Sequence, residues 1–199
     1  ANSSRWLERH LNDEFVIKSK VEGYRSRSSY KLIEMEKKFN FLKNSHNILD
    51  LGCAPGGWLQ VAKKFAPKSA RIVGIDLLKI DKIDNVVSIE KSIFDEDINE
   101  IIQKNFTDKV GLLMSDMSPN SSGNKKIDHL RIISLIERVL EIAKEVLKPN
   151  GFLVSKIFQG GAQGDLIEKM KSELRDIKYF KPKASRKQSP ETYLIAKKN

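Results

Sequence analysis

Short apolar runs alternate with amphipathic stretches along most of this chain. Apolar runs bounded by turn residues read as buried strands, and apolar positions three and four apart read as helix faces. Strands are expected at 48–51, 70–78, 85–94, 109–120 (running into Asp116), 150–158, 176–182 and 191–198. Helices are expected at 3–21, 29–39, 58–65, 97–106, 128–147 and 166–174. The first has Ser3 or Ser4 to cap it and a stripe of Trp6, Leu7, Leu11, Phe15 and Ile17. An acid, Asp97, is expected to cap the fourth. In the long fifth helix, Ile132, Leu135, Ile136, Val139, Ala143, Val146 and Leu147 mark the buried face, and Pro149 and Gly151 stop it. Residues 160–165 and the basic stretch 183–190 read as loops. No repeat or linker divides the chain. The alternation predicts one α/β domain over 1–199, with helices on both faces of a mostly parallel, doubly wound sheet. Residues 1–45 form an N-terminal segment and 46–199 the core.

The chain is organised around HNILDLGCAPGGW, His46 to Trp58. A buried strand here turns through Gly52, Pro55, Gly56 and Gly57 into a helix. This is how α/β proteins hold nucleotide-like ligands, because glycine lets the backbone approach closely and the helix start offers unpaired N–H groups. The spacing is not G-x-G-x-x-G, since Ala54 stands where the second glycine would be. A nicotinamide dehydrogenase is therefore poorly supported. Asp76 ends the next strand at the distance where an acid commonly binds ribose hydroxyls. Asp50, Asp76, Asp116 and Lys156 all fall at or near the carboxyl ends of strands, where such sheets bind ligands.

Charge narrows the partner. The 199 residues carry a net charge of +10, which favours a polyanion, most commonly nucleic acid. In GYRSRSSYKL, Gly23 to Leu32, arginines interleave with tyrosines, a composition suited to phosphate contact and base stacking. Arg25, Arg27, Lys181, Lys183, Arg186 and Lys187 are the candidate track. No apolar run is long enough to span a bilayer, so no membrane role is expected. One cysteine, Cys53, and a polar start without a secretion signal suit an intracellular protein, in the cytoplasm or an organelle. His10, His46 and His129 lack metal-ligand spacing, and no metal is expected.

GYRSRSSYKL, DLGCAPGGW, GIDLL, MSDMSPN, VSKIFQGG and SRKQSPETYL stand in the order and spacing of one family. From Ser3 to the last strand the chain resembles the FtsJ-type ribosomal RNA ribose 2′-O-methyltransferases. The resemblance implies a Rossmann-like S-adenosylmethionine fold whose seven-stranded sheet has one antiparallel strand near an edge. It implies a catalytic tetrad that falls on Lys31, Asp116, Lys156 and Glu191. Lys156 would be the base, Asp116 would orient it beside the methyl donor, and Lys31 and Glu191 would hold the ribose hydroxyl. Gly52, Pro55, Gly56, Gly57, Trp58, Asp76 and Asp116 would bind the cofactor. The family's acid near the adenine is here Ser92, so adenine recognition falls to that hydroxyl or borrows Asp95. Arg25, Arg27 and Arg186 would contact RNA. The implied substrate is a uridine of large-subunit ribosomal RNA, free or in the ribosomal subunit, and the implied state is a monomer.

Three other readings remain. Transfer RNA is an alternative substrate within the family. A base methyltransferase is disfavoured, because DMSP, from Asp116, lacks the second proline and the aromatic of D-P-P-Y. A non-catalytic RNA-binding assembly factor is disfavoured by the complete tetrad.

Overall fold

The computed structural model describes residues 2–159 and 164–199. Its elements are α1 (Asn2–Asn12), α2 (Glu14–Glu22), α3 (Ser29–Phe39), β1 (Asn47–Leu51), α4 (Gly57–Phe65), β2 (Arg71–Asp76) and β3 (Val86–Glu90). They continue with α5 (Ile98–Lys104), β4 (Val110–Ser115), α6 (Lys125–Val146), β5 (Leu147–Phe158), α7 (Gly164–Glu173), β6 (Leu174–Phe180) and β7 (Glu191–Lys198). Most of the expected loop at 160–165 lies outside the described residues.

The strands form one seven-stranded sheet in the order β3-β2-β1-β4-β5-β7-β6. All pairs are parallel except those of β7, which runs antiparallel to both β5 and β6. The chain works outward from β1 to β3, then returns to β4 on the other side of β1. That reversal puts a crevice outside the carboxyl ends of β1 and β4.

Strand alternation builds two cores. Leu49, Leu51, Val73, Ile75, Leu113 and Leu153 face α5, α6 and α7, where they meet Ile102, Ile136, Val139 and Met170. Ile48, Ile72, Leu112, Met114 and Val154 face the other way, onto Leu32 and Met35 of α3 and Leu59 and Val61 of α4. The near-continuous apolar strands of the sequence are thus covered on both sides.

The N-terminal helix differs from expectation. The apolar stripe runs through 3–21, yet the helix breaks at Asp13. Asp13 adopts extended backbone, and its carboxylate accepts from Phe15 N (2.9 Å) and Val16 N (3.3 Å), capping α2. Such a cap is worth about 1 kcal/mol. Ser3 and Ser4 lie within α1 rather than ahead of it. Trp6, Leu7, Leu11 and Ile17 remain at least half exposed, because the periodicity marks an amphipathic face without supplying a partner for it. Asp97 heads α5 but does not cap it; its carboxylate pairs with Lys91 at 3.1 Å instead. The long helix starts three residues earlier than expected, where Asn124 accepts from Lys126 N and Ile127 N.

Candidate active site

At the end of β1 the chain turns sharply. Gly52 has φ +71°, and a Cβ there would fall 2.0 Å from Met117 Cγ. Gly52 N and Cys53 N donate to Ile75 O at 2.7 and 3.1 Å, which ties the turn to β2. Asp76 holds it from the side: Oδ2 accepts from Ala54 N (2.8 Å) and Oδ1 from Leu78 N (2.9 Å). Beside the turn opens a cleft of about 830 Å³ whose walls include Gly52, Asp76, Ser92, Phe94, Asp116 and Met117. Exposed Leu77, Leu78 and Phe94 give it an apolar rim. Ser92 Oγ accepts from Phe94 N at 3.1 Å, which leaves its O–H to donate. Asp95 does not line the cleft; its carboxylate accepts from Ser92 N and pairs with Lys91 at 3.7 Å.

Pro55, Gly57 and Trp58 line a second, smaller cavity of about 70 Å³ together with Asp50, Ser28 and Asp116. Gly56 heads α4 on the outer side of the turn, next to Arg25. Gly57 is packed against the N-terminal segment, since a Cβ would meet Ser29 Oγ at 2.6 Å. Trp58 is buried, and its indole N–H reaches Ser28 O (2.9 Å) and Ser28 Oγ (3.0 Å). Asp50 is 1% exposed, and its Oδ2 has no hydrogen-bond partner among the described residues. Burial, with Asp116 and Asp76 nearby, pushes its carboxyl well above the usual range. Burial also pushes the Cys53 thiol up, which makes a thiolate nucleophile there unfavourable.

The four residues implied as a tetrad meet where β4, β5, β7 and α3 converge. Lys156 Nζ lies 3.2 Å from Asp116 Oδ1 and 3.2 Å from Glu191 Oε1. Lys31 Nζ lies 3.5 Å from Glu191 Oε2. Lys156 also donates to Ser118 Oγ (3.1 Å) and Asp116 O (3.4 Å). Both lysines are 8% exposed. Burial pushes the Lys31 ammonium below the usual lysine range; Asp116 and Glu191 oppose this, while Lys156 adds to it.

Three polar groups that sequence reasoning missed complete the cluster. Tyr193 donates its phenol O–H to Asp116 Oδ1 at 2.5 Å. Burial, then the Asp116 carboxylate, pushes that phenol well above its ordinary range. Ser28 donates to Asp116 Oδ2, and Ser118 accepts from Lys156. Tyr193 had a signal, since it stands two residues after Glu191 on a strand and so shares its face.

The candidate RNA-contacting arginines have partners within the protein. Arg25 donates to Pro55 O (3.1 Å), Asp81 O (2.8 Å) and Lys82 O (3.2 Å). Arg27 pairs with Asp13 at 3.2 Å and donates to Ala184 O at 2.8 Å. Arg186 reaches the same Asp13 at 3.5 Å. Burial works to raise the Asp13 carboxyl, but Arg27 and the two backbone N–H groups outweigh it and hold it below the usual range. Nothing in the local sequence marks Asp13 as the joint between α1, α2 and the basic loop.

A ligand cleft at the switch point of a doubly wound sheet, joined through Asp116 to a lysine–carboxylate cluster, is the plan of a Rossmann-like methyltransferase. The chain belongs to the FtsJ-like methyltransferase family, which it matches over residues 24–199. It is 46% identical to the ribosomal RNA large subunit methyltransferase E of Rickettsia typhi and 44% identical to that of Rickettsia akari. In each case the match covers 98% of this chain and 88% of the relative. A solved structure from Plasmodium falciparum, assigned as a ribosomal RNA methyltransferase, superposes with a TM-score of 0.76 at 30% identity, covering 88% of this chain and 98% of that one. The fibrillarin pre-rRNA processing protein of Methanococcus jannaschii has a TM-score of 0.55 at 12% identity, over 79% of this chain and 68% of that one, and shares the fold alone.

Proposed function

We propose that this protein methylates a ribose 2′-hydroxyl of ribosomal RNA, with S-adenosylmethionine as donor and a uridine of the large-subunit RNA as the expected target. The observation that carries the reading is Lys156 Nζ held 3.2 Å from each of two carboxylates, one of which, Asp116, lines the ligand cleft. The names of the relatives support ribosomal RNA as the substrate class.

The cleft residues fit the donor. Asp50, buried with one oxygen unpaired beside the small cavity, suits the donor's cationic amino-acid end. Asp76 would take the ribose hydroxyls, Ser92 the adenine, and the backbone of Gly52, Pro55 and Gly57 would close on the ligand, with Trp58 as a wall, while Gly56 shapes the turn from its outer side. The bound donor supplies a methyl on a positively charged sulfur that leaves as a neutral thioether, while the attacking ribose oxygen gains the methyl and loses its proton. Lys156 is the group placed to take that proton. Asp116 fixes the direction of the lysine, and Lys31 and Glu191 hold the hydroxyl in line. All four reacting side chains come from one chain, so a monomer suffices. An RNA substrate of this class places the work where ribosomes are, in the cytoplasm or an organelle.

The test is product mapping. Large-subunit ribosomal RNA, assembled large subunits and transfer RNA are each incubated with the protein and labelled donor. The expected product is a single 2′-O-methylated linkage in the large-subunit RNA that resists alkaline cleavage. Label on a base, or on transfer RNA alone, refutes the assignment. Donor binding without turnover on any RNA favours the non-catalytic reading.

A further inference from the structure

We propose that Ser28 is a positioning residue for methyl transfer, fixing the Asp116 carboxylate from the N-terminal segment. The inference rests on the reading of this site as a methyltransferase centre.

Ser28 occupies the N-cap position of α3. A serine there ordinarily spends its side-chain oxygen on a backbone N–H of the first turn. This one makes no such bond, and its φ of −58° is already helical. Its hydroxyl lies instead between Trp58 Nε1, at 3.0 Å, and Asp116 Oδ2. The direction of that chain is set by chemistry. An indole N–H only donates, so Ser28 Oγ must accept from it, and the single serine proton is left for the carboxylate.

Asp116 is therefore gripped from both sides. Oδ1 takes Lys156 at 3.2 Å and Tyr193 at 2.5 Å, and Oδ2 takes Ser28. Rotation of the carboxylate would break a bond on one oxygen or the other, so Oδ1 stays on Lys156. The grip also joins two substrates' machinery. Gln60 of α4 accepts from Arg25 N (2.8 Å) and donates to Gly23 O (3.0 Å), and Arg25 reaches Pro55 O. The segment from 23 to 28 is thus fastened to the glycine turn, and Ser28 carries that register to the acid beside the base.

Ser28→Ala isolates this role, because Trp58 keeps its bond to Ser28 O at 2.9 Å and is not orphaned. A misplacement of about 1 Å can cost about a hundredfold in rate. The expectation is a fall of roughly 10- to 100-fold in kcat, with KM for donor and RNA within about threefold and Tm within about 2 °C of wild type. Ser28→Thr, which keeps the hydroxyl, restores kcat to within about threefold, and Ser28→Cys, a weak donor, stays low. If the alanine variant does not fold, the threonine and cysteine variants decide the matter by the same ordering. Unchanged kcat in Ser28→Ala, a rise in RNA KM alone, or a threonine variant that folds but is as slow as alanine would each overturn the proposal. Wild-type protein that transfers no methyl to any RNA fails the underlying reading instead, and is distinguished before any variant is compared.

Discussion

Replacing Lys156 with Met keeps the length and apolar stem of the side chain and removes its charge and its proton-accepting nitrogen. Catalysis should suffer most. A positioned general base contributes about 10²- to 10⁴-fold, so the single-turnover rate should fall by at least that factor. Stability should suffer less. The lysine makes two contacts of 3.2 Å to carboxylates that are themselves 16% and 21% exposed. Hydrogen bonds to charged groups are worth about 1.5–3 kcal/mol, and Lys31 remains beside Glu191 to offset part of the loss. A domain of this size shifts by about 2–4 °C per kcal/mol, so Tm should drop by roughly 3–12 °C. Lys156 is also one of the charges that depress Lys31, so the Lys31 ammonium should titrate higher in the variant, visible by lysine-selective NMR. Donor affinity by calorimetry should stay within about threefold, because Lys156 does not line the cleft. Turnover within tenfold of wild type, measured as labelled methyl transferred to large-subunit RNA, refutes Lys156 as the base.

Other consequences are open to simpler measurements. Because Lys31 binds its proton less tightly folded than unfolded, the unfolded chain holds more protons between the two values, and stability should rise with pH through that window, below the ordinary lysine value of 10.5. Urea unfolding at successive pH values should show this rise in the wild type and not in Lys31→Met; parallel curves would contradict it. Gly74→Ala would place a Cβ 2.8 Å from both Cys53 Sγ and Leu59 Cδ1, in a core with no room to yield. It should cost about 1–3 kcal/mol in chemical denaturation, and a neutral result would mean that the β2–α4 packing is looser than described. Substituting Arg25 and Arg27 together should weaken RNA binding and flatten its salt dependence. The same change unlatches Asp13, so melting of α1 and α2 by circular dichroism is expected alongside it, and an unchanged salt slope would remove both arginines from the RNA track.

The sheet was legible because its central strands are buried on both faces and therefore read as apolar runs. Periodicity failed where a single polar contact overrides it, as at Asp13, whose carboxylate ends one helix and starts another inside an unbroken stripe. It also could not tell that Trp6, Leu7 and Leu11 face outward. The site was legible in parts. Asp76, Asp116 and Lys156 are marked by their places at strand ends, but Lys31 and Glu191 carry no local mark and were found through the family resemblance. Ser28 escaped because it meets Asp116 across 88 residues of chain, a distance over which spacing has no meaning, whereas Tyr193, 77 residues from Asp116, could have been found from the strand face it shares with Glu191.

The position of β7 has a consequence for how the protein is made. β7 slots between β5 and β6, both synthesised before it, and brings Glu191 and Tyr193 to residues laid down much earlier. While the ribosome is still adding residues 191–198, β5 and β6 lack the neighbour that separates them and Asp116 lacks its phenol. The cluster around Asp116 and Lys156 closes only when that strand inserts. Completion of this cluster therefore waits on the insertion of that one strand.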